Sequence, residues 1–130
     1  MTEIPKPKKI RDFMDLEAWK QAHQLVLGVY SMTKKFPREE AFGITNQMRR
    51  AAVSITSNIA EGFSRQSAKE KIQFYAMARG SLTELQNQLL IARDVSYLEE
   101  DDYRHIFETL SSTHRLINGL MKYLRNASPT

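Results

Sequence analysis

Between Glu99 and Asn126 the chain sets Tyr103, Phe107, Leu110, His114, Ile117, Met121 and Leu124 at alternating steps of four and three residues. That spacing lines one face of an α-helix. A strand buries every second residue, and no stretch with that alternation is long enough to compete anywhere in the chain. An all-α fold follows, and three further helical segments precede this one. The first runs from about Asp12 to Lys35, capped by Asp12 or Asp15, with Trp19, Val26, Tyr30 and Thr33 on one face. Phe36 to Gly43 interrupts it: Pro37 suits the first position of a short helical turn, Glu39 and Glu40 suit its dipole, and Gly43 can end it. The second helix spans about Ile44 to Phe63. Ser67 and Glu70 form a capping box that opens a third, reaching about Ser96 with the stripe Tyr75, Ala78, Leu82, Leu85, Leu89 and Ala92. Glu99, Glu100, Asp101 and Asp102 load the first turn of the fourth. Short connections make successive helices antiparallel, so an up-down-up-down four-helix bundle over residues 12–126 is the economical fold. Residues 1–11 form a basic N-terminal tail expected to be mobile, and 127–130 a C-terminal one.

The chain has 130 residues, 42% of them hydrophobic, which suits one domain with a core. No cysteine is present, which excludes disulfides and thiolate metal sites and fits a reducing compartment. The basic N-terminus leads into no apolar run, so neither a signal peptide nor a membrane span is expected and the chain reads as soluble and cytoplasmic. The formal net charge is +4 and the pI about 9.4. Charge is unevenly spread: residues 1–80 carry fourteen basic and eight acidic side chains, and residues 81–130 five and seven. Any anion-binding surface therefore belongs to the first half.

The second helix is built from unusually small residues, AAVSITSNIAEG over 51–62. With Ile55 at the centre of the core face, Ile44, Met48, Ala51, Ala52, Ile59 and Gly62 fall within about 60° of it. Gly62 lies almost at the centre, where a missing side chain admits a neighbouring helix or ring. Val53 and Ala60 lie opposite, flanked by Arg49, Thr56 and Ser57. Ile72, Leu90 and Ile91 point away from the stripe of the third helix, and Leu25, Leu27 and Met32 widen the apolar arc of the first. A four-helix bundle has no second interior, so Val53, Thr56, Ala60, Ile72, Leu90 and Ile91 are expected to form a subunit interface, although scattered surface apolars would leave the same pattern.

The ordered series Trp19 to His23, Phe36-Pro37, Phe42-Gly43, Gln47 to Ala52, Asn58 to Gly62 and Gly80-Ser-Leu resembles the 23S ribosomal RNA intervening-sequence proteins, over about residues 11–125. The same family includes the accessory variability proteins of diversity-generating retroelements. The resemblance implies a bacterial bundle that assembles into a homo-oligomeric ring, typically a pentamer, and associates with structured RNA or with a reverse transcriptase. The chain departs at Thr56, where family members often carry proline.

Individual residues leave several readings open. Arg50, Ser54, Ser57, Glu61 and Arg65 form a polar stripe. It is either a site or an internal network in which Glu61 and Asn58 pair with Arg50, Arg65 or Arg79. Arg49 and Arg50 suit phosphate, but adjacent positions diverge by about 100° and share one target poorly. Lys34, Lys35 and Arg38 either bind nucleic acid or complement the negative end of the first helix. Lys6, Lys8, Lys9 and Arg11 form a candidate basic arm. The nucleic-acid-binding set is thus Arg49, Arg50, Lys34, Lys35, Arg38 and Arg65, with Asn58, Glu61 and Arg79 as structural polar residues.

Catalysis finds no constellation: a di-iron bundle needs two carboxylate-x-x-His motifs, and Asp102-Tyr-Arg-His105 is the only one. His23 and His114 lie on apolar faces without a locally spaced nucleophile. Met14, Met32, Met48, Met77 and Met121 read as core filler rather than a cofactor box. With Trp19, Tyr30, Tyr75, Tyr103 and Phe107 on core faces, no aromatic platform for bases is expected. No cofactor, metal or membrane partner is expected. The two readings that remain are a non-enzymatic oligomer associating with structured nucleic acid, and an oligomeric adaptor for a larger nucleic-acid enzyme such as a reverse transcriptase.

Overall fold

A computed structural model describes residues 9–127. Among them α1 (Glu17–Thr33), α2 (Ile44–Ser64), α3 (Ala68–Asp94) and α4 (Glu100–Ala127) account for nearly all the regular structure, with short 3-10 turns at Phe13–Asp15 and Arg38–Glu40 and no strand. Each helix packs on two neighbours: α1 on α2 and α4, and α3 on α2 and α4, with the α2–α3 seam the most extensive. The α1–α3 and α2–α4 backbones stay farther apart among the described residues, so the four helices sit at the corners of a square. No described helix is long and apolar enough to cross a membrane.

Local chemistry sets the boundaries. Asp12 and Asp15 form a capping box, but around the 3-10 turn that precedes α1 rather than at α1 itself, which starts at Glu17 behind Leu16. Pro37 is the cap of the second 3-10 turn rather than its first residue, and Gly43 caps α2 rather than ending that turn. Ser67 Oγ accepts from the Glu70 amide at 3.1 Å and starts α3. That helix stops two residues earlier than expected, at Asp94. Ser96 adopts φ 66, and the Ser96 and Tyr97 amides bond back to the carbonyls of Arg93 and Ala92 at 3.0 and 2.9 Å, a Schellman closure made here without glycine.

The inner faces of α2 and α3 are as their periodicity predicts: Met48, Ala52, Ile55 and Ile59 meet Ala78, Leu82, Leu85, Leu89 and Ala92, all buried. Gly62 is approached closely. A Cβ there would lie 2.7 and 2.9 Å from two carbons of the Tyr75 ring. At Thr56 the helix continues without interruption, and the hydroxyl donates to the Val53 carbonyl at 2.9 Å.

The core face of α1 is rotated by about one residue from the expected stripe, whereas in α4 Leu110, Ile117 and Met121 are buried as expected. In α1 the buried line is Ala18, Ala22, Leu25, Val29 and Met32, while Tyr30 is exposed and Trp19 and Val26 pack only partly. Leu25 and Met32 therefore belong to the core, and only Leu27 of that outward trio stays at the surface. In α4, Ile106 and Thr113 take the inward places expected for Phe107 and His114, both of which are exposed. Thr113 and Thr33 cost little when buried because each hydroxyl is satisfied within its own helix, Thr113 by the Thr109 carbonyl at 2.8 Å and Thr33 by the Val29 carbonyl at 2.7 Å. Of the methionines, Met32, Met48 and Met121 fill the core, whereas Met14 and Met77 are exposed.

Candidate nucleic-acid interface

The outer face of α2 meets α1 along a groove of about 500 Å³ lined by Tyr30, Asn46, Arg49, Arg50, Val53, Ser54 and Ser57. Among the described residues no carboxylate lines it. Apart from Asn46 and the two arginines, α2 contributes only Val53, Ser54 and Ser57 to the lining, and larger residues there would fill it. Arg49 and Arg50 both line this groove although their Cα–Cβ bonds diverge, since a long guanidinium arm can sweep across the angle. Their roles differ. Arg49 Nε donates to Thr33 Oγ1 at 2.9 Å, and its guanidinium carbon lies 4.7 Å from the centre of the Tyr30 ring. It is thereby anchored between α1 and α2, with Thr33 behind it and Tyr30 beside it. Arg50, one residue on, is exposed at the groove rim.

Tyr30 is the groove residue that the periodicity misplaces. The stripe puts it on the core face, yet it remains 39% exposed beside the two arginines. The core-face placement expected for Tyr30 is thus overturned, as it is for Phe107, which lies 5.9 Å from Tyr103 in a stacked pair. A tyrosine one position beyond a buried valine is an ambiguous signal, because its apolar ring and polar tip suit a boundary.

Part of the polar stripe along α2 is engaged in hydrogen bonds and an exposed ion pair. Ser54 Oγ and Ser81 Oγ lie 2.8 Å apart and join α2 to α3, while Asn58 Nδ2 donates to the Ser54 carbonyl and hydroxyl at 2.9 and 3.1 Å. Glu61 pairs with Arg65 at 3.3 Å, one of the expected arrangements. Asn58, by contrast, finds Ser54 rather than an arginine, and Arg79 donates to Asn118 Oδ1 at 3.0 Å, tying α3 to α4. Arg65 also stacks over Phe74, 4.6 Å from its centre. It lies about 22 Å along α2 from Arg50, too far to share a small site. Lys71, on α3, donates to the Phe63 carbonyl at 2.7 Å and so caps the end of α2, where burial lowers its pKa.

The remaining basic residues do not converge on the groove. Lys34, Lys35 and Arg38 are exposed at the end of the bundle where α1 stops. Lys35 lines two smaller clefts there, one with Asp102 and His105 and the other with Glu99 and Asp102, so both clefts are of mixed charge. Lys9 and Arg11 are exposed, and Lys6 and Lys8 lie outside the described residues.

The expected interface residues divide. Val53 is 38% and Ile91 45% exposed, whereas Thr56, Ala60 and Leu90 are half-buried. Ile72 is likewise half-buried and packs in part against the core. Ala60 lines a second, shallower groove with Phe13, Ser57, Glu61 and Ser64, continuous with the first through Ser57.

A crystal structure of a protein of unknown function from the S23 ribosomal protein family, from Bacteroides thetaiotaomicron, has the same fold, with a TM-score of 0.75 at 20% identity over 81% of this chain and 95% of that one. Comparison with curated proteins finds no match. Residues 14–119, most of the bundle, match the family model of the 23S rRNA-intervening sequence proteins, and the chain belongs to that family.

Proposed function

We infer that this is a non-enzymatic, nucleic-acid-associated bundle whose contact surface is the outer face of α2, with structured RNA as the partner. The observation that carries the reading is the groove in which Arg49 and Arg50 converge on Tyr30 and Asn46 without a carboxylate. Family membership supports it through the family's name alone. Binding is electrostatic and tolerant of sequence, and it uses the basic first half of the chain. A +4 subunit offers few phosphate contacts, so a homo-oligomeric ring, a pentamer in the simplest case, multiplies them. A second copy cannot cover the α2 groove while nucleic acid uses it. Subunit contact is therefore assigned to the exposed side of α3, with Ile91, Leu90 and Met77, and Val53 and Ala60 are left to the nucleic acid.

The test is filter binding of a structured RNA over a salt series. With about five patches and one or two phosphates at each, log affinity against log salt should slope at about −4 to −9 on duplex regions. Arg49→Gln with Arg50→Gln should flatten the slope markedly, Lys34→Gln with Lys35→Gln less, and changes at Arg115, Lys122 and Arg125 hardly at all. A slope near zero, or one unaltered by the arginine pair, contradicts the reading. One observation then favours an adaptor for a larger nucleic-acid enzyme, such as a reverse transcriptase: Phe42, between the second 3-10 turn and α2, is 98% exposed and has the character of a protein-contact anchor.

A further inference from the structure

We propose that the α2 groove takes an unpaired segment of the nucleic acid, with a base stacked on the Tyr30–Arg49 pair, its edge within reach of Asn46, and the adjoining phosphate on Arg50. The proposal rests on the nucleic-acid reading and goes beyond its electrostatics. Three observations carry it. First, Tyr30 is a large ring left 39% exposed beside cations, and a flat ring contributes little to phosphate binding but much to a base. Second, the platform is preorganised: the Nε bond to Thr33 Oγ1, at 2.9 Å, fixes Arg49 over the ring at 4.7 Å, so that a ring and a guanidinium form one stacked shelf. A base joining it loses little to reordering these two side chains. Third, the groove is about 500 Å³, within the range of about 300–1,000 Å³ typical of small-ligand sites, and its small Ser and Val residues leave room for a base.

The lining also distinguishes strand states. In a duplex the bases are stacked on one another and their faces are closed, so Tyr30 would have nothing to stack on. Asn46 carries an amide that both donates and accepts, which suits any base edge and selects none strongly. Recognition is therefore of unpaired bases, whatever their sequence.

The discriminating probe is a pair of fluorescently labelled single-stranded oligonucleotides of equal length and charge, one of mixed sequence and one abasic, together with a duplex. Fluorescence anisotropy on the full-length protein should find the abasic strand weaker by roughly 5- to 150-fold, the range expected for losing one stacked base. Tyr30→Leu should weaken the normal strand by a similar factor and leave the abasic strand unmoved, and Tyr30→Phe, which keeps the ring, should restore binding. Arg50→Gln should weaken both strands alike. If Tyr30→Leu fails to fold, the abasic comparison on the unaltered protein still decides. Equal affinity for normal and abasic strands, or tighter binding of the duplex than of the single strand, overturns the stacking proposal while leaving the phosphate reading intact if Arg50→Gln still weakens binding. No binding of any of the three overturns both.

Discussion

The two sides of α2 draw on the same small alphabet and come to opposite ends. On the inner side Ala51, Ala52, Ile55, Ile59 and Gly62 are closed off, and Tyr75 lies so near Gly62 that a Cβ would stand 2.7 Å from its ring. On the outer side Val53, Ser57 and Ala60 line open grooves instead. Small residues thus serve close packing where a partner helix is present and access where none is. Arg49 stands at the boundary, with one nitrogen bonded inward to Thr33 and its guanidinium over an exposed ring. The difference separates stability from binding, so substitutions on the two sides should move different observables.

The largest stability effect belongs to the inner side. Gly62→Leu should overpack the α2–α3 seam and lose about 1–3 kcal/mol by chemical denaturation; an unchanged midpoint would mean that Tyr75 yields and that the inner side is not closely packed. Arg49→Gln removes one interhelical hydrogen bond and a ring contact, for a loss of about 1 kcal/mol in the same assay. A Cβ added at Gly80 would meet nothing within 4 Å, so Gly80→Ala should act in the other direction and stabilise by about 0.5–1 kcal/mol. Val53→Ser, at the groove floor, should change stability by less than about 0.5 kcal/mol. A loss near that of Gly62→Leu would show that the outer side is packed after all.

How much of this is legible in the sequence varies from helix to helix. The inner stripes of α2 and α3 follow the expected residues, with Thr45 and Gln88 buried beside them. In α1, Leu25, Val26, Leu27, Val29, Tyr30 and Met32 spread around the wheel, and the periodicity centres the face one residue from its true place. That step carries Tyr30 onto the core and hides its exposure beside Arg49. In α4 the error comes from favouring Phe107 and His114 over Ile106 and Thr113, since a threonine that bonds its own helix looks more polar in sequence than it is in the core. The arginines are visible as candidates, but their convergence is not, because it depends on Tyr30 from another helix. The scatter of Lys34, Lys35, Arg38 and Arg65 away from the groove follows from the three-dimensional placement of the helix ends.

The central claim, that nucleic acid is held by the outer face of α2, is tested most directly by titrating a short single-stranded RNA of mixed sequence into isotopically labelled protein and following amide and side-chain resonances. The account predicts perturbations concentrated at Tyr30, Asn46, Arg50, Val53 and Ser57, with Met77 and Ile91 on α3 and the Lys122–Arg125 end of α4 unmoved. Perturbations centred on α3 or α4, with the α2 groove unchanged at saturating RNA, would contradict it.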